Sequence, residues 1–289
     1  MFDGPQVRLL PDERRLHLNH GPIDLIVEAF SSKEEIEAAY RQATDRFADI
    51  LPSLVTELDQ LRSPVQAPRW APDGPVAMRM MDACWPHRAR FVTPMASVAG
   101  AVADEMLAAL VAGRTLERAY VNNGGDIALH LTPGAGLTAG LVCDYHLPAI
   151  DGTCLLSFDS LVRGVATSGW KGRSLSLGIA DSVTVLAENA AAADVAATLI
   201  GNAVNADHAA IERVPADELD PDSDLGDQLV TVAVGEIDPD TIDRALMEGV
   251  ATANGMVRSG HIMAAVLVLQ QEFRVVGTVP AGLVGANAA

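Results

Sequence analysis

Between Leu16 and Leu61 the apolar residues change their period, and this change limits the fold more than any other feature of the sequence. Leu16 and Leu18, then Ile23, Leu25 and Val27, alternate with mostly polar residues, as half-buried strands do. Asn19-His20-Gly21-Pro22 forms a turn between the two runs, so Val7 to Phe30 is expected to be a strand pair. Ser31-Ser32 followed by Glu34 and Glu35 reads as a helix start, with hydroxyl caps and early carboxylates. Ile36, Tyr40, Ala43, Phe47, Leu51, Leu54, Leu58 and Leu61 then recur at helical spacing. They predict a helix from about Ser32 to Leu61, interrupted or kinked at Pro52. Strands that feed directly into a long amphipathic helix exclude an all-α or all-β core.

The same mixture continues along the chain. Ser63 to Pro75 holds four prolines and reads as a loop, and Met78 to Phe91 has no clear period. Thr93-Pro94 opens a small-residue helix from Met95 to Ala112, ended by Gly113. Strands are expected at Ala119–Leu131, broken at Asn122–Asp126, and at Leu137–Cys143, Cys154–Phe158, Ser182–Ala187 and Leu229–Val234. Helices are expected at Ala191–Asn205 and Thr241–Arg258, and a closing hairpin at Ile262–Leu269 and Phe273–Val276. Strands and helices do not alternate strictly, so the expected class is α+β, with mixed sheets and helices packed on one face. One unit spanning residues 1–289 is expected, with an acidic surface loop at Pro215–Asp227 that carries six carboxylates.

Charge narrows the partners. Lys and Arg total 20 against 38 for Asp and Glu, a formal net charge of −18, so the basic footprint of a nucleic-acid binder is absent. An anionic ligand would need local donors or a metal ion. Cys84, Cys143 and Cys154 fit no paired or zinc-binding spacing, which suggests a reducing compartment. The opening MFDGPQVRLLPDERR has no apolar signal region, and no uninterrupted apolar run is long enough to span a membrane. A cytoplasmic protein without a membrane partner is expected, and its oligomeric state stays open.

Several segments could carry chemistry. In Asn122-Asn123-Gly124-Gly125-Asp126, two glycines let the backbone approach a ligand, and the Asn side chains could read a heterocycle edge. The plainer reading is a β-bulge or hairpin turn. Val165 to Gly178 gathers Thr167, Ser168, Gly169, Lys171, Arg173, Ser174 and Ser176, an unusual set of phosphate donors for so acidic a chain. It lacks the order of a P-loop and could equally be a Gly/Ser-rich loop. Asp194 and Thr198 stand one helical turn apart and offer hard oxygens suited to Mg²⁺, although an Asp near a helix start is more often a cap. Asp104 lies on an Ala-rich helix, where a lone Asp is usually solvated. Asp181 reads as a turn residue before the strand Ser182–Ala187 and as a weaker site candidate.

In this order the segments resemble the ApbE-type flavin transferases. The matching pieces are Gly100 to Asp104, Asn123 to Asp126, Ala166 to Gly169, Ser182 to Val185, and Ala193 to Thr198. A nearer resemblance is to uncharacterised protein family 0280, a branch of that superfamily, at Phe91–Gly100, Asn122–Ile127 and Ala166–Asp181. The resemblance covers roughly residues 16–205 well and the C-terminal third loosely. It implies a T-fold-like α+β architecture and a nucleotide-like ligand, FAD or FMN. It also implies Mg²⁺ held by Asp194 and Thr198. Asn122 to Asp126 and Thr167-Ser168-Gly169 would line the pocket, with Lys171, Arg173 and Ser174 as phosphate donors. The chain departs from the transferases at Ala99, where they carry Lys, and at Ala101, where they carry an aromatic residue. Their His-x-x-Asp-Pro stretch is absent from Trp170–Asp181. With that Lys replaced, Asp104 is the best candidate for a general base. The other readings are an enzyme acting on a pterin-like heterocycle in one-carbon or cofactor metabolism, and a non-catalytic binding protein.

Overall fold

The computed structural model describes residues 4–141, 152–172, 174–279 and 284–285. Cys143 and Arg173 lie outside the described residues. In chain order the early strands are β1 (Gln6–Leu9), β2 (Leu16–His20), β3 (Ile23–Phe30), β4 (Arg118–Asn123), β5 (Asp126–Leu131), β6 (Gly136–Leu141) and β7 (Gly152–Ser157). The later ones are β8 (Gly164–Ser168), β9 (Ser182–Ala187), β10 (Ile211–Pro215), β11 (Leu229–Val234), β12 (Ala264–Leu269), β13 (Glu272–Gly277) and β14 (Val284–Gly285). The helices are α1 (Lys33–Thr56), α2 (Leu58–Leu61), α3 (Pro75–Cys84), α4 (Val98–Val111), α5 (Ala190–Ala203), α6 (Ala216–Leu219) and α7 (Pro239–Arg258). The class is α+β, and every described strand pairing with a register is antiparallel.

The chain forms two compact units, each discontinuous in sequence. The first comprises residues 1–137, 157–166 and 188–194, and the second comprises 138–156, 167–187 and 195–289. In the first, strands run in the order β1-β2-β3-β4-β5, and β5 then pairs with the start of β8 through Ile127 opposite Val165. The alternation at Leu16, Leu18, Ile23, Leu25 and Val27 places all five side chains in the core. Phe47 and Ile50 of α1 and Met106 and Leu110 of α4 belong to the same core and are fully buried. Covering these four side chains contributes roughly 1.5–3 kcal/mol each. Ser32 caps α1 by accepting the Glu35 N–H, as its sequence position predicts. The helix keeps Pro52 inside it and ends at Thr56, with α2 as a separate turn after Glu57.

Helix α4 and the 3-10 turn before it form an apolar stretch, Pro94–Val111, long enough to cross a membrane by length and composition alone. Here it is a core helix, with Val102, Ala103, Met106 and Leu110 fully buried. On this helix the partly buried Glu105 accepts hydrogen bonds from Arg46 at 2.9 Å and Arg79 at 3.0 Å. In the second unit, β9, β12 and β13 are neighbours in that order, with Val185 opposite Ala265 and Val266 opposite Val275. Every residue of β9 is buried. Helix α7 packs on β12 and β13 and is capped by the Asp238 carboxylate, which accepts the Thr241 N–H at 3.0 Å.

The structure corrects four expectations. The opening holds three strands, because Gln6–Leu9 adds to the edge of Leu16–His20. Residues 75–84 form a helix that begins with Gly74 as cap and Pro75 in its first turn, a start that the absent apolar period concealed. Gly164–Ser168 is a strand rather than a loop. The acidic segment begins with helix α6 rather than with irregular chain.

Candidate functional site

The Asn-Gly-Gly-Asp segment is a tight hairpin. Asn123 and Asp126 are the last cross-strand pair of β4 and β5, so only Gly124 and Gly125 form the loop. Their φ values are 64° and 117°, both in the region that side chains avoid, which is why two glycines stand there. Asn122 Oδ1 accepts the Gly125 N–H at 2.8 Å and pins the loop. Asn123 and Asp126 are both buried. Asn123 Nδ2 donates to the Ala99 carbonyl at 3.1 Å, tying the hairpin to the first turn of α4.

Helix α4 lacks a local cap: the side chain of Ser97, its N-cap residue, makes no capping hydrogen bond. The missing acceptor comes from α5. Asp194 Oδ2 accepts the Gly100 N–H at 3.0 Å, and the Ala99 N–H also supports this carboxylate. The return bond runs the other way. Asp104 of α4 accepts the N–H of Ala190 at 3.0 Å and of Ala191 at 2.8 Å, while Asn189 accepts that of Ala192 at 2.8 Å. The three amides that open α5 are therefore all satisfied. This crossing of carboxylates needs the two helix starts to touch. A Cβ on Gly100 would lie 2.3 Å from the Ala190 carbonyl oxygen, and one on Gly164 would lie 2.0 Å from that of Asn189.

Electrostatics follow from this geometry. Burial raises the Asp104 carboxyl above its ordinary range, against the two amides that favour its ionised form. Asp194 is raised well above the ordinary value, first by desolvation and then by the negative charge of nearby Asp126. The N–H groups of Gly100 and Ala99 oppose that rise only in part. Asp104 and Asp194 thus each stand at a helix N-terminus, with the charge of Asp126 near Asp194, and the Asp194 carboxyl is raised well above its ordinary value. Among the described residues, no group of three or more His, Cys, Asp or Glu side chains is arranged to hold a metal ion.

In the second unit the Thr167-Ser168-Gly169 stretch leads into a turn anchored by Asp181. This carboxylate accepts from Trp170 Nε1 at 3.1 Å and from the Gln270 N–H at 2.6 Å, and it pairs with Lys171 Nζ at 3.0 Å. The Lys171 ammonium also lies 5.7 Å from the Trp170 ring centre. A Cβ on Gly169 would lie 2.3 Å from the Asp181 carbonyl oxygen. Thr167 and Thr184 share a hydroxyl–hydroxyl hydrogen bond of 2.8 Å. Ser174 is exposed, and Ser176 is buried with its hydroxyl accepting the Gly178 N–H at 3.2 Å. Thr198 is half-buried on α5, one turn beyond Asp194.

The first unit therefore gathers Asn123, Asp126, Asp104 and Asp194, residues that are far apart in the sequence. Asp104 enters as a tie between helices, with both oxygens engaged. Sequence reasoning missed the anchoring by Asp181, the cap from Asn189 and the close approach at Gly164. Short-range spacing signals neither the Asp181 anchor nor the approach at Gly164, because their partners come from other segments; the Asn189 cap is local, an Asn three residues before Ala192 at the start of α5.

The family model described as AbpE bacteria matches residues 7–275. A UPF0280 protein of Methanothermobacter thermautotrophicus is 41% identical over 135 residues, which cover 46% of this chain and 50% of that one. A UPF0280 protein of Methanopyrus kandleri is 35% identical over 189 residues, covering 64% and 71% respectively. The match thus spans half the length of the first relative. A solved flavin transferase ApbE from Vibrio cholerae aligns at a TM-score of 0.49 and 10% identity over 92% of this chain and 97% of that one. That likeness is too distant to carry an argument about chemistry.

Proposed function

The chain belongs to the AbpE bacteria family and to the UPF0280 proteins, and on that premise we propose that it binds a flavin nucleotide, FAD or FMN, together with Mg²⁺. The observation that carries this reading is the Asp194 carboxylate. It is desolvated, lies beside Asp126 and has its proton affinity well raised, so a bound cation would relieve it. Mg²⁺ takes hard oxygen donors, commonly one or two carboxylates completed by waters and substrate phosphate. The Asp194 carboxylate and the Thr198 hydroxyl are donors of that kind, so the residues present fit the ion. Mg²⁺ held there would neutralise a diphosphate and act as a Lewis acid.

The chain's own residues do the positioning. Gly124 and Gly125 present bare backbone at an exposed turn, where a flat ring can come close. Lys171, Ser174 and, beyond the described residues, Arg173 are the proposed phosphate donors. Lys171 would exchange its Asp181 partner for a phosphate oxygen. Thr167, Ser168 and Gly169 complete the proposed set. With Ala99 in place of the transferases' Lys, flavin binding is proposed ahead of FMN transfer. The pterin-like reading needs the Asn pair to face a ligand, whereas Asn122 and Asn123 are engaged in holding the hairpin.

The experiment is a titration of the protein with FAD, FMN and ADP in Mg²⁺ and in EDTA, beside Asp194→Ala. Magnesium-dependent flavin binding that the substitution abolishes is the expected result. Absence of any flavin binding by the unsubstituted protein would falsify the reading.

A further inference from the structure

We infer that Asp104 is a positioning residue, which fixes the Asp194 carboxylate without touching the metal or the nucleotide. The inference rests on the Mg²⁺ reading above. It is carried by a closed loop of bonds within the first unit. Asp104 holds the N–H groups of Ala190 and Ala191. One helical turn further along α5, Asp194 holds the Gly100 N–H. One turn further along α4, the chain is back at Asp104. Each side of this loop is a single turn of helix or a direct hydrogen bond, so it has little slack.

Two close approaches lock it. Gly100 leaves no room for a side chain against the Ala190 carbonyl, and Gly164 leaves none against Asn189. The start of α5 is therefore wedged between α4 and β8, and only hydrogen atoms separate the backbones. Asp104 sets where that start sits along α4. Without it, the Ala190 and Ala191 amides lose their acceptor and the first turn of α5 is free to unwind. Asp194 stands directly after that turn, and its position would no longer be fixed. Supporting groups of this kind around a metal ligand typically change metal affinity by about 10–100-fold.

The test uses the full chain, with Mn²⁺ alone as the probe, followed by water-proton relaxation. Amide hydrogen exchange at Gly100 is measured beside it, because Gly100 reports on Asp194 and not on Asp104 directly. The variants are Asp104→Ala, Asp104→Asn and, as a control, Glu105→Gln. Glu105 is the next residue on α4 and is held by Arg46 and Arg79 outside the loop. For Asp104→Ala we expect Mn²⁺ affinity to fall at least about tenfold, with faster exchange at Gly100. Asp104→Asn keeps one acceptor and should fall between that variant and the unsubstituted protein; it replaces the alanine variant if the latter does not fold. Glu105→Gln should lower stability while leaving both readouts in place. Unchanged affinity and unchanged Gly100 exchange in both Asp104 variants overturn the inference, as does an equal loss in Glu105→Gln. If the unsubstituted protein binds no Mn²⁺, the functional reading falls, and Gly100 exchange alone decides whether Asp104 positions Asp194.

Discussion

Asp104 and Asp194 each accept first-turn N–H groups of the helix on which the other stands. The exchange solves two capping problems at once. An uncapped helix start leaves several amides without acceptors, and the positive end of its dipole favours a carboxylate. Here the donors belong to the buried residues Gly100, Ala190 and Ala191, so losing either acceptor leaves them dry rather than hydrated.

Gly100→Ala should destabilise the protein although alanine is the better helix former. Propensity favours the substitution by about 1 kcal/mol. The added methyl would sit 2.3 Å from the Ala190 carbonyl oxygen, against rigid backbone. Overpacking of that kind costs about 1–3 kcal/mol, so the net change is a loss. Urea unfolding of the two proteins would show it as a lower midpoint with an unchanged slope.

Gly125→Ala should also destabilise, for a different reason. No atom lies within 4 Å of the added methyl, so space is not the constraint. A φ of 117° is, and holding a side chain there costs roughly 1–3 kcal/mol. A loss of stability as small as that of an ordinary surface substitution would contradict this account of the hairpin.

Acid stability should depend on Glu105. Burial works to raise its carboxyl, but the bonds from Arg46 and Arg79 outweigh burial and leave it below the ordinary 4.5. A group lowered in the folded state stabilises fully above its unfolded value, and that contribution is lost as pH falls through the folded value. Melting temperatures from about pH 6 down to about pH 3 should therefore fall less steeply for Glu105→Gln. The two curves should converge at the acid end.

Asp181→Ala should cost more than Lys171→Met. The first removes the acceptor for Trp170, Gln270 and Lys171 together, and leaving such groups unsatisfied costs about 2–4 kcal/mol. The second leaves Asp181 with two donors and removes an ion pair that is partly exposed, worth about 1 kcal/mol or less. Denaturant midpoints rank the two, and the reverse order would mean that the ion pair, not the hub, holds the turn.

The periodic segments were legible in the sequence, and the site only in pieces. The edge strand Gln6–Leu9 and the helix end at Thr56 were not legible. The change of period after Phe30 gave β2, β3, the Ser32 cap and the start of helix α1, because each depends on neighbours a few residues away. The Asn122–Asp126 turn was legible for the same reason. β8 was not, since the stretch from Val165 runs straight into Gly169 and reads as part of a Gly/Ser-rich loop. Gly164 is there to let Asn189 approach and Gly169 to let Asp181 approach, and both partners are distant in sequence. Asp194 looked like an ordinary cap near a helix start, and it is a cap, but of the other helix.

The tie between Asp104 and Ala190 spans 86 residues. During synthesis, Asp104 therefore leaves the ribosome long before the amides that complete it. Until residue 165 has emerged, the first unit lacks the strand start that pairs with Ile127, and until residue 194 has emerged it lacks the acceptor for Gly100. A nascent chain that has reached only residue 137 carries the greater part of that unit's sequence and none of its closure. The order of synthesis thus delays the locking of this half of the molecule until two-thirds of the chain exists.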